Sequence, residues 1–183
     1  MIRIALWLLA GLILGGIVHL ASILLLPRTA TQDAYSRLES STPVNAITPL
    51  PPPSPDNVAL PFMDPAFAVA ICRYDLREAP LKLTTPVAQS YTSVSFYTRL
   101  GVAYYAINDR AAGRRVIELD LMTPEQRGNL REDEEVTAAD RLIVEAPTPL
   151  GLVVLRALAP EPSAMAVARG ILAAAQCRPS PQT

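Results

Sequence analysis

Residues 4–26 read IALWLLAGLILGGIVHLASILLL, twenty-three positions without a formal charge and with His19 and Ser22 as the polar interruptions. About 20 apolar residues carry a helix across the hydrocarbon core of a bilayer. A single span can satisfy its backbone amides there only as a helix, so the run is expected to be a transmembrane anchor. The competing reading is a cleaved signal peptide, whose apolar region runs about 7 to 15 residues and ends at a small-x-small site. The exit here is Leu26-Pro27-Arg28-Thr29-Ala30, which puts Arg28 where cleavage after Ala30 needs a small side chain. A cut after Ala21 meets His19 in the same role.

Arg3 and the terminal amine on one side face Arg28 and Arg37 on the other, so the positive-inside count does not set the orientation. With residues 1–3 alone preceding the run, the pattern is that of a signal anchor. The expected place is the inner (cytoplasmic) membrane, single-pass, with the C-terminal part in the periplasm. Within the run, Gly11 and Gly15 form a GxxxG pair, and His19 and Ser22 fall on the same side at 100° per residue. That stripe suits a packing face for a membrane protein partner or a homodimer, the bilayer being the first partner. Glycine is also simply frequent in membrane helices, and that alternative stays open.

Setting aside Arg3 and Arg28, fourteen basic side chains stand against seventeen acidic ones. A net negative remainder argues against nucleic acid, whose affinity rests on basic contacts to phosphate. The two cysteines, Cys72 and Cys177, lie near the two ends of the expected domain. Outside the cytoplasm they are expected to pair as a disulfide; two buried, unpaired thiols are the alternative.

The chain divides into an anchor at 4–26, a juxtamembrane and proline-rich linker at 27–65, a β-rich domain at 66–178 and a tail at 179–183. Residues 31–41, TQDAYSRLESS, suit a short amphipathic helix with Tyr35 and Leu38 on one side. Residues 43–65, PVNAITPLPPPSPDNVALPFMDP, read as a semi-rigid spacer, because prolines fix φ and remove donors. Strand-like alternation follows at 68–76, 81–85, 91–98, 101–107, 115–121, 141–145 and 150–158. Asn108-Asp109-Arg110 and Ala112-Gly113 read as a turn. Thr123-Pro124-Glu125-Gln126 is a helix start, with Thr as cap, Pro at the first helical position and Gln closing a capping box. The acidic run at 131–135 reads as a solvated loop. Residues 164–176 predict a terminal helix capped by Ser163, packing through Met165, Ala168, Ile171 and Leu172. The expected fold is a single N-terminal transmembrane helix plus a mainly antiparallel, sandwich-like β domain with a short helix and a C-terminal helix, in the α+β class.

Outside the anchor there is no histidine, which removes Ser-His-Asp and Cys-His catalysis and the usual zinc sets. No dinucleotide fingerprint, P-loop or CxxC is present, so neither cofactor nor metal is called for. What remains is a polar and aromatic set, Tyr97, Tyr104, Tyr105, Asn108, Asp109 and Arg156. Tyrosines on neighbouring strands can line a ligand face, with Arg156 pairing a carboxylate. The same residues equally serve as cross-strand pairs and surface charges.

The strings SVSFYTRLGVAYYAINDRAAGRRVIELDL and RLIVEAPTPLGLVVLRALAPEP resemble the small membrane-anchored proteins of an uncharacterised bacterial envelope family. They are more distantly similar to the C-terminal domain of larger exported proteins of unknown function, whose N-terminal domain and Trp-rich strand this chain lacks. The resemblance covers roughly residues 66–178 and implies a sandwich-like domain behind one anchor, with no established activity. The expected function is a non-enzymatic interaction or accessory module of the envelope; a small-ligand binder or enzyme built on the Tyr/Asn/Arg set is the alternative.

Overall fold

The structure, a computed structural model, describes residues 2–29, 33–54, 59–113, 115–129 and 142–180. The acidic run at 131–135 lies outside the described residues. The chain forms two compact units, Met1–Asp33 and Ala34–Thr183.

The first unit is one helix, α1 (Ile2–Thr29). Over Ile2–Leu26 it is long and apolar enough to cross a membrane. The side chains of residues 2–26 are all exposed. The Ser22 hydroxyl donates to the Val18 carbonyl at 2.8 Å, which satisfies it inside the helix.

The second unit contains α2 (Ala34–Glu39), β1 (Ile47–Pro49), β2 (Phe67–Asp75), β3 (Leu81–Pro86), β4 (Thr92–Thr98) and β5 (Ala103–Asn108). After these come α3 (Asp109–Ala112), β6 (Val116–Met122), α4 (Pro124–Gly128), β7 (Leu142–Glu145) and β8 (Leu150–Leu158). A 3-10 turn (Pro162–Ala164), α5 (Met165–Ala173) and β9 (Gln176–Pro179) end it. Two sheets form. The five-stranded one has the order β1-β2-β8-β4-β5, and the four-stranded one β7-β6-β3-β9. Every pair is antiparallel except β6 with β7.

Alternation decides which side chains meet. Ala70, Cys72 and Tyr74 of β2, Val94 and Phe96 of β4, and Val153 and Leu155 of β8 share one core with Leu81, Leu83, Ile117, Leu119 and Leu121 of the other sheet. Helix α5 packs on β2 and β8, where Ala68, Ala70 and Ala157 leave room for it, and buries Ala168 and Leu172. A disulfide between Cys72 of β2 and Cys177 of β9 joins the two sheets, with Cα atoms 6.4 Å apart.

The outer face of the five-stranded sheet is covered as well. Tyr35 and Leu38 of α2 and Leu50 bury Ile71 and Leu152, with Val69 and Tyr97 at the margin. Asn45, at φ 56°, donates from Nδ2 to the Asp75 carbonyl and accepts from the Asp75 amide, pinning the approach to β1. The folded unit therefore begins at Ala34 rather than at Ala66, and much of the expected spacer is part of it. Prolines there are compatible with β1 because β1 is an edge strand, which needs donors on one side alone.

Three further local expectations are corrected. Asn108 to Ala112 is a short capped helix rather than a turn, with Asn108 Oδ1 accepting from the Ala111 amide at 2.9 Å. Ser163 does not cap α5; it lies in the 3-10 turn and its hydroxyl donates to Glu161 Oε2. Residues 176–179, expected as the end of a helix and the start of a tail, pair with β3 as β9. The Thr123 capping box is present in both directions.

Candidate functional site

The most connected polar group in the core is Tyr74, at the inner face of β2. Its ring reaches over Gly151 of β8, the register partner, which has no side chain to obstruct it. The phenol donates to the Tyr97 carbonyl at 3.3 Å and meets the Tyr104 hydroxyl at 3.1 Å. Since Tyr74 has one proton and gives it to the carbonyl, Tyr104 is the donor in the second bond. Phe96 lies beneath, with ring centroids 6.1 Å from Tyr104 and 5.8 Å from Tyr105.

Burial raises the pKa of both phenols, Tyr104 strongly, with its bond to Tyr74 acting in the same direction. A phenol held neutral in the fold ionises readily at the ordinary value of 10.0 once unfolded. Stability from this pair is therefore fully present below pH 10 and declines as pH rises beyond it. We expect alkaline unfolding, followed by tyrosinate absorbance, to begin above pH 10. The double substitution Tyr74→Phe with Tyr104→Phe should remove that pH dependence while lowering stability at neutral pH.

The six residues expected as a ligand face do not converge. Tyr104 and Tyr105 pack against the core between the sheets, and Tyr97 packs against the opposite, outer cluster. A register shift between Phe96 and Tyr97 separates them. Asn108 is spent on the α3 cap, and Asp109 Oδ1 accepts from the Thr92 amide at 3.4 Å. Arg156 is exposed on the outer face between Val69 and Ser93, away from the phenols.

A different polar cluster, not singled out by spacing, sits where α2 meets the sheet. Arg73 of β2 is 8% exposed and its Nη1 lies 3.2 Å from Glu39 Oε1. The guanidiniums of Arg73 and Arg99 each lie 5.5 Å from the centroid of the Tyr35 ring. Arg73 stands in an alternating strand, and its partners arrive from a helix about 35 residues earlier, so no local pattern could reveal them. Among the described residues no three His, Cys, Asp or Glu side chains are grouped to hold a metal.

These features define an α+β, two-sheet domain with a structural disulfide, preceded by an apolar helix. The chain belongs to the family described as "Protein of unknown function (DUF1254)", whose model matches residues 44–179. The match starts at Val44, just ahead of β1. Among solved structures, the VPA0106 protein from Vibrio parahaemolyticus is similar at 14% identity and a TM-score of 0.59, covering 82% of this chain. An uncharacterised protein from Burkholderia cenocepacia is similar at 13% identity and a TM-score of 0.45, covering 69% of this chain and 35% of its own. This chain spans 38% of the length of the Vibrio protein, and the likeness is one of fold. None of the curated proteins matches the chain.

Proposed function

We propose that this chain is a bitopic inner-membrane protein whose single anchor, α1, holds a periplasmic domain that acts as a non-enzymatic interaction or accessory module of the envelope. The observation that carries this reading is the combination, in one chain, of an apolar helix whose residues 2–26 are exposed and a disulfide between the two sheets of the domain. An apolar surface of that length needs lipid or another helix around it. Disulfides persist in oxidising compartments, which for an N-terminally anchored bacterial protein is the periplasm. The Gly11, Gly15, His19 and Ser22 side of α1 suits close approach of a second membrane helix, from another copy or from a partner protein. Two measurements test the reading. The full chain should stay with membranes through an alkaline carbonate wash, and a reporter fused after Thr183 should be active when exported. Release by carbonate, or reporter activity confined to the cytosol, would overturn it.

A further inference from the structure

Over Tyr35 the domain gathers more positive charge than its own acids answer. Arg73 and Arg99 rise from one region of the outer face of the five-stranded sheet. Arg73 of β2 is in register with Leu152 of β8, Leu152 with Tyr97 of β4, and two residues past Tyr97 the Arg99 amide donates to the Leu150 carbonyl at 3.2 Å. Both guanidiniums lie 5.5 Å from the Tyr35 ring centroid, so their Cζ atoms are no further apart than twice that distance. Among the described residues Glu39 is the one acid that meets either of them, through a single contact of 3.2 Å to Arg73 Nη1. Arg73 Nε is buried without a hydrogen-bond partner, on a side chain 10% exposed. Arg99 has no ion pair among the described residues, and Asp75, two residues along β2 on the same face, is taken by Arg77.

A buried guanidinium left partly unanswered costs more than a neutral polar group would, and native folds rarely carry one without a use for it. Held against Tyr35, itself 6% exposed, Arg73 is fixed before any ligand arrives. Glu39 is held far less firmly. Its side chain is 63% exposed, and it is the last residue of α2, a helix of 6 residues that is too short to keep its own geometry in water. A carboxylate so placed is a replaceable stand-in for an anion from solution. With Glu39 turned out to solvent, two positive charges flank one ring. A dianion neutralises both, whereas a carboxylate or a phosphodiester leaves one over.

We propose that Arg73 and Arg99, over Tyr35, form a binding site for a small phosphomonoester, whose place is taken by the Glu39 carboxylate in the free protein. Phosphate oxygens, spread over a tetrahedron, meet edges of the Arg73 fork that a single Glu39 oxygen leaves unanswered. Arg99, exposed and without an ion pair among the described residues, swings off the ring to close on the other side of the ligand. The site does not depend on the anchoring proposed above.

The test is calorimetric titration of the full chain, in maltoside micelles at neutral pH, with methyl phosphate, a monoester that carries close to two charges there. Dimethyl phosphate and acetate, both monoanions, are the comparisons, and methyl phosphate should bind more tightly than either. Glu39→Gln removes the competing carboxylate and should tighten binding about two- to five-fold, as expected for loss of an exposed ion pair. Arg99→Gln should weaken it at least about ten-fold, as expected for loss of a hydrogen bond between charged groups. Both substitutions fall on exposed side chains, and the mobility shift on reducing the Cys72–Cys177 bridge checks that each variant has folded. No binding of methyl phosphate by the natural sequence or by Glu39→Gln would overturn the site. Weaker or unchanged binding by Glu39→Gln would overturn it too, leaving Glu39 as a structural partner of Arg73 and no more. Equal affinity for dimethyl phosphate or acetate would overturn the choice of a dianion, and unchanged affinity in Arg99→Gln would remove Arg99 from the site.

Discussion

Replacing Cys72 and Cys177 together by alanine is expected to lower the melting temperature of the full chain by about 10 °C. The bridge closes a loop with a sequence separation of 105. In the chain-entropy model, cross-linking about 100 residues removes about 4.7 kcal/mol worth of unfolded-state freedom, and native bridges typically contribute about 2 to 5 kcal/mol. Each kcal/mol moves the midpoint by roughly 2 to 4 °C in a domain of this size. Packing adds to the loss, because Cys72 is fully buried between the sheets and an alanine there leaves a void. The effect should also be uneven. Strand β9 is held by four register pairs to β3 and by the Ser180 amide donating to the Pro80 carbonyl, so without the sulfur link its amides should exchange with solvent before those of β8. Thermal scans with and without reductant, paired with hydrogen exchange, measure both effects. A shift below about 2 °C would mean that the sheets hold each other without the bridge.

The parts of the fold legible in the sequence are those whose signals are local. The Thr123 box was complete in four consecutive residues, and both of its hydrogen bonds form. Alternation in 68–76, 91–98 and 150–158 marked β2, β4 and β8, because a strand's period is carried by its own side chains. It did not tell which strand would be central: β8 sits between β2 and β4, with both faces largely covered. Proline content misled at 43–65, where the deciding fact is that β1 occupies an edge. Strand β9 escaped because four residues containing Arg178 and Pro179 carry no period, and its pairing with β3 is nonlocal. The tyrosine set failed as a face for a similar reason. The register through Phe96↔Tyr105 would pair Tyr97 with Tyr104 on one surface; the shift after Phe96 pairs Tyr97 with Ala103 instead, and Tyr97 and Tyr104 go to different clusters. Tyr74, whose hydroxyl meets Tyr104 and the Tyr97 carbonyl, carries no local signal, because a tyrosine in an alternating strand looks like any other core aromatic.

Gly151→Ala is expected to be the most damaging single-methyl change in the domain, costing about 3 kcal/mol. Seven other glycines have open space where a Cβ would stand, whereas at Gly151 that atom would collide with the Tyr97 carbonyl oxygen and the Tyr74 phenol. A glycine within a strand commonly marks such a close approach of backbone or side chain. Neither neighbour is free to yield. The Tyr97 carbonyl belongs to the β4 backbone, in register with Leu152 of β8, and the Tyr74 ring is fully buried with its hydroxyl bonded to Tyr97 and Tyr104. Relief must come either from separating β4 from β8 or from turning Tyr74 out of the core, and both break bonds that the fold uses. The Tyr74→Phe background isolates the part played by the hydroxyl. Removing the hydroxyl takes away one of the two Tyr74 contacts and frees the ring from its bonds to Tyr97 and Tyr104, while the ring Cζ and the Tyr97 carbonyl stay in the way. Gly151→Ala should therefore cost less in that background but remain destabilising, with a coupling of about 1 kcal/mol between the sites. Urea denaturation of the four members of this cycle provides the numbers. Additive losses would mean that the Tyr74 hydroxyl takes no part in opposing the methyl, which would then meet only the aromatic ring and the β4 backbone.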